Sequence, residues 1–106
     1  MIENLVYEYL CAHHKGKDNL IKNKDLRRLF NVNDDKSMRK IIQHLRESEN
    51  YPLMVGSISG KSGGFYICIT DNEKQETINN IRHRANQMLR MTKVLEWKKG
   101  LKNGNK

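Results

Sequence analysis

The stretch VGSISGKSGGFY, residues 55–66, carries the residues with the most direct claim to chemistry. Gly56, Gly60, Lys61 and Ser62 have the types of a loop that cradles the phosphates of a nucleotide. Such a loop needs four residues between its first glycine and the Gly-Lys pair, and its Lys-Ser must open a helix whose N-terminal amides hold the phosphate. Here three residues separate Gly56 from Gly60, and Lys61-Ser62 runs through Gly63-Gly64 into Phe65-Tyr66-Ile67-Cys68-Ile69, a strand-forming run. A nucleotide hydrolase is therefore not expected. The same residues predict a hairpin tip that holds the Lys61 ammonium out where a phosphate backbone can meet it.

The other chemistry-bearing side chains give no enzyme. His13, His14, His44 and His83 lack an evident serine or cysteine partner for nucleophilic catalysis, and the carboxylates fall at helix starts or on polar faces. Cys11 and Cys68 lie in apolar segments without CxxC spacing and read as buried, reduced thiols. Adjacent His13 and His14 cannot share a helical face as metal ligands three or four apart do. No metal, no cofactor and no catalytic residue is expected.

A third group has a different chemistry. Between about Asp35 and Ser48, Met38, Ile41, Ile42 and Leu45 recur at helical spacing, while Lys36, Arg39, Lys40, Gln43 and Arg46 fall on the opposite side. Arginine pairs bidentately with guanine, glutamine with adenine, and lysine serves either bases or phosphates. The formal net charge of +8 agrees with an acidic partner, most of the excess lying in residues 72–106, which hold nine Lys/Arg against three Asp/Glu.

The elements that must position these residues follow from periodicity and turn chemistry. Ile2, Leu5, Val6, Tyr9 and Leu10 predict a first helix, buried on that side and ending near His14 at Lys15-Gly16. Leu20-Ile21 predicts one short strand. Asn23 is expected to cap a short second helix, Lys24 to Phe30, with Leu26, Leu29 and Phe30 inward. Asn31 tolerates the left-handed conformation that a tight turn into the third helix demands. Pro52 ends helical structure, and Leu53–Ile58 with Phe65–Thr70 predicts a two-stranded hairpin.

Taken in order, these elements resemble a winged helix-turn-helix domain, with NKDLRRLFNVNDDKSMRKIIQHLRE as the two-helix unit and LMVGSISGKSGGFYICIT as the wing. The pattern is similar to small phage and prophage DNA-binding proteins over roughly residues 1–70. Arg27 and Asn31 stand where that family often has a small residue and a glycine, and Asp34 and Asp35 open the helix as caps. The resemblance implies an α+β, mostly helical fold in which helix three enters the major groove and the wing touches the flanking backbone. It assigns Ser37, Arg39, Lys40 and Gln43 to base edges, and Lys36, Arg46 and Lys61 to the DNA backbone.

The last third is separate. Asp71-Asn72 is expected to cap a final helix from Glu73 to Lys99, in which Ile78, Ile81, Ala85, Met88, Thr92 and Leu95 alternate intervals of three and four, a heptad seam. Leu89, Met91, Val94 and Trp97 add apolar surface, and Arg82, Arg84, Arg90, Lys93, Lys98, Lys99 and Lys102 make the rest basic. The helix either pairs with its copy in a homodimer or packs its first half on helix one and leaves its second half to another protein. Its cations do not segregate opposite one apolar arc, so no membrane partner is expected. The expected organisation is a winged helix-turn-helix domain over 1–71, a long basic C-terminal helix over 72–100 and a flexible tail over 101–106.

No apolar run approaches the roughly 20 residues that cross a bilayer, and Met1 opens directly into an amphipathic pattern, so a cytoplasmic location is expected. Two functions fit. One is a duplex DNA-binding protein of phage or mobile-element type, sequence-selective or structural, acting in transcriptional regulation or DNA replication. The other is a module of the same fold that binds or inhibits a host protein complex.

Overall fold

The computed structural model describes residues 2–101. Four helices and one two-stranded antiparallel sheet succeed one another as α1 (Ile2–His13), a single 3-10 turn (Lys17–Asn19), α2 (Asn23–Phe30), α3 (Asp35–Glu47), β1 (Val55–Ile58), β2 (Gly64–Ile67) and α4 (Asp71–Gly100). The architecture is α+β and mainly helical, with a hairpin and a long C-terminal helix. Two compact units result, Met1–Gln75 and Glu76–Lys106, the first five residues of α4 belonging to the first unit. Among the described residues no helix is long and apolar enough to cross a membrane.

The first unit is built around α3, which packs against α1, α2 and β1. Met38, Ile41, Ile42 and Leu45 are buried as the helical spacing requires, and they meet Val6, Leu10, Leu26, Val55, Phe65 and Ile67 in one core. Each such side chain contributes about 1.5–3 kcal/mol through burial. Two expected core residues are outside it. Leu5 and Leu29 are 56% and 55% exposed. In α1 the buried residues are Val6 and Leu10, and in α2 Leu26 is buried with Phe30 packed against the core, pairs four apart. A short helix with few neighbours buries only a narrow arc, and Leu5 and Leu29 lie beyond its edge.

The strand expected at Leu20-Ile21 is reduced to one bridge. Ile21 exchanges both backbone hydrogen bonds with Phe65, at 2.9 and 2.8 Å. Further along β2, the Ile67 N–H donates to the His14 carbonyl and the Gly16 N–H to the Ile67 carbonyl, each at 2.8 Å. The hairpin pairs Val55 with Ile67 and Ile58 with Gly64, shorter than expected at its open end and reaching Ile58 and Gly64 at the turn. Gly64 must lack a side chain, because a Cβ there would lie 2.0 Å from the Ile21 carbonyl oxygen.

The cap of α4 also differs from expectation. Thr70, not Asp71-Asn72, precedes the helix: its hydroxyl accepts from the Glu73 N–H at 3.0 Å, and the Glu73 carboxylate accepts from the Thr70 N–H at 3.3 Å. This reciprocal pair is a capping box, written in the sequence as Thr70-x-x-Glu73. Glu73 does more than cap. Its two oxygens also accept from the N–H groups of Ile69 and Lys17, at 2.8 and 2.9 Å, which ties the helix start to the turn after α1. The expected flexible tail falls, beyond Leu101, outside the described residues, as does Lys102.

Candidate functional site

The turn between α2 and α3 sets the direction of α3. Asn31 adopts φ 58° and ψ 41°, the left-handed conformation, and the N–H of Val32 returns to the Arg27 carbonyl at 2.9 Å. Arg27 braces the same corner. Its Nε donates to the Asn23 side-chain oxygen at 2.7 Å and its guanidinium reaches the Asn33 carbonyl at 3.4 Å. Asn23 is thereby the first residue of α2 and a partner of Arg27, while Lys22 takes the cap position. Asp34 caps α3 by accepting from the Ser37 N–H at 2.7 Å, and that backbone bond holds its carboxyl below the usual carboxylate range.

With its apolar side buried, α3 turns Lys36, Ser37, Arg39, Lys40 and Gln43 to solvent, all five exposed. Arg39 leans back onto Asp35, 2.5 Å away, and Gln43 donates to Glu47 at 2.9 Å. Both restraints are weak. An exposed pair four residues apart is worth about 0.3–0.5 kcal/mol, so Arg39 can leave Asp35 for a stronger acceptor at small cost.

Arg46, expected at the DNA backbone, bonds within the chain. It is half-buried, its Nε donating to the Val55 carbonyl at 2.8 Å and its Nη2 to the Ser57 hydroxyl at 3.0 Å. A side chain held this way positions the hairpin against α3. Lys61 sits exposed in the hairpin turn, which closes through the Gly63 N–H to the Gly60 carbonyl at 3.0 Å, Gly60 having φ +97°. Lys61 does not touch α3 through any hydrogen bond among the described residues.

Other cations at the surface of this unit were not singled out by sequence reasoning. Lys22, Lys24 and Arg28 border an open depression of about 700 Å³, with Tyr9, His14 and Leu29 on its walls. Lys24 and Arg28, four residues apart on one helix, share a face, and this spacing is the signal that could have identified them. Among the described residues no group of three or more His, Cys, Asp and Glu is placed to hold a metal ion, and both cysteines are free.

The second unit holds the predicted seam. Every residue of α4 from Ile78 to Gly100 is exposed, including Ile78, Ile81, Ala85, Met88 and Leu95. Scans against protein-family models, curated proteins and solved structures found no match to this chain.

Proposed function

We propose that the chain binds duplex DNA in the manner of a winged helix-turn-helix protein, α3 entering the major groove and the hairpin turn lying along the flanking backbone. The observation that carries this reading is the division of α3: four buried apolar residues fix the helix, and Lys36, Ser37, Arg39, Lys40 and Gln43 face solvent together. The tight Asn31 turn before α3 and the bridge of Ile21 to β2 after it agree with that architecture. Arg39 and Gln43 are assigned to base edges, Ser37 and Lys40 to base or phosphate, and Lys36 and Lys61 to the backbone. Arg46 acts indirectly by holding the wing. Such a protein serves transcription or replication of a phage or mobile element.

The alternative, a module that binds or inhibits a host protein complex, draws on the exposed apolar residues of α4. A titration of binding to random-sequence duplexes against salt separates the two. Phosphate contacts release counterions, so log affinity should fall linearly with log salt, by about 0.9 for each phosphate neutralised. The Arg39→Ala, Lys40→Ala double variant should keep its thermal stability and lose most of its DNA affinity. Unchanged affinity in that variant, or binding indifferent to salt, excludes the DNA reading.

A further inference from the structure

Beyond Thr77, which is buried, the described residues of the second unit are exposed helix. From Ile78 to Gly100 all residues of α4 are exposed, among them Met88 at 63%, Leu95 at 53% and Ile81 at 40%. Helical stability in proteins comes mainly from burying an amphipathic face rather than from intrinsic propensity. The a and d positions of the seam are Ile78, Ile81, Ala85, Met88, Thr92 and Leu95, with Leu89 and Met91 on its flanks. Among the described residues nothing covers that face.

We propose that the occupant is a second copy of the same helix, running antiparallel, in a single register that sets Ile78 against Leu95 of the partner subunit, Ile81 against Thr92 of the partner subunit and Ala85 against Met88 of the partner subunit. Two observations select this arrangement. The first is shape. Parallel copies would stack Ala85 on Ala85 and Thr92 on Thr92, leaving a void at one layer and paired hydroxyls at another. Antiparallel copies oppose each small residue with a large one, which is how close-packed layers are filled.

The second observation is charge. The first turns of α4 hold Asp71, Glu73 and Glu76 against one cation, Lys74, while the last turn holds Lys98 and Lys99. Antiparallel copies bring the acidic end of each helix to the basic end of the other and oppose the two helix dipoles. Parallel copies would crowd four lysines together. Arg82 and Arg84 flank the seam and, in the antiparallel register, lie beside Leu89 and Met91 of the partner subunit, where their aliphatic stems cover apolar surface while their charges stay in water.

The pairing stands independently of the DNA reading, because none of the seam residues belongs to α3 or to the hairpin. The test mixes full-length chains carrying Ile78→Cys with chains carrying Leu95→Cys under mild oxidation, the unsubstituted chain serving as control for Cys11 and Cys68. The mixture should give a covalent dimer with the bond mapped between positions 78 and 95, and each variant alone should give little. Light scattering of the unsubstituted chain should return twice the monomer mass, and Leu95→Glu, at an exposed position, should halve it. Self-linkage of either variant alone as readily as the mixture would show a parallel pair and overturn the proposal. A monomeric mass at all concentrations also overturns it, leaving the face to a different protein.

Discussion

The Nε of Arg46, in the last turn of α3, donates to the carbonyl oxygen of Val55, the first residue of β1, at 2.8 Å. The same guanidinium reaches the Ser57 hydroxyl. One side chain thus joins α3 to the hairpin that follows it. Arg46→Ala is expected to lower stability by about 1.5–3 kcal/mol, the range for hydrogen bonds to a charged group, measured by urea denaturation. Any loss of DNA affinity should accompany that destabilisation, whereas Arg39→Ala should weaken binding with stability unchanged. Equal stability of the Arg46 variant and the wild type would refute its bracing role.

Two leucines three residues apart in α2 should respond oppositely to truncation. Leu26 is fully buried and Leu29 is 55% exposed. Leu26→Ala should cost about 2–5 kcal/mol, the range for core cavities, and Leu29→Ala should change stability by no more than about 0.5 kcal/mol. Thermal melts of the two variants check the burial pattern directly.

Two glycines of the hairpin loop are needed for different reasons. A methyl at Gly64 would meet the Ile21 carbonyl, and one at Gly60 would meet open space but in a backbone at φ +97°. Gly60→Ala should therefore cost roughly 1–2 kcal/mol of conformational strain with the fold intact. Gly64→Ala should separate β2 from Ile21 and cost more than the Gly60 variant. Amide exchange reads this out, since the Ile21 and Phe65 N–H groups should lose protection in the Gly64 variant alone.

Acid should loosen the start of α4. The Glu73 carboxyl is held below the ordinary carboxylate range, first by the Ile69 N–H and then by the Lys17 N–H. Because the folded state binds this proton less readily than the unfolded state, the group adds stability at neutral pH that is complete above the ordinary range and lost as pH falls through the depressed folded value. Glu73→Gln should melt lower at pH 7 and show a flatter dependence of Tm on pH below about pH 5. Asp34, depressed by the Ser37 N–H, leaves some acid sensitivity in that variant. A variant curve parallel to the wild type would remove Glu73 from the account.

How far the sequence could be read depended on whether the deciding interaction was local. The burial of Met38, Ile41, Ile42 and Leu45 and the left-handed Asn31 follow from spacing and residue type, and both are present. The capping box at Thr70 and Glu73 was equally local and was obscured by the neighbouring Asp71-Asn72, which have the same capping chemistry. Leu5 and Leu29 were misplaced because helical periodicity gives a direction but not the width of the arc that neighbours cover. The tie from Arg46 to Val55 and Ser57 spans nine and eleven residues across a chain reversal, and the bond from Lys17 to Glu73 spans fifty-six. Only the folded arrangement brings such groups together.

The clasp of Arg46 on Val55 also bears on how the sheet ends. The Cys68 N–H donates to the Met54 carbonyl, so by antiparallel alternation the carbonyl of Val55 points away from β2, along the free margin of the hairpin. The opposite margin is occupied by Ile21, His14 and Gly16. A foreign strand seeking to extend this sheet must therefore approach β1, where a guanidinium already claims the acceptor it needs and a cation discourages docking. The residue that joins α3 to β1 thus also covers the hairpin margin at which another strand would pair.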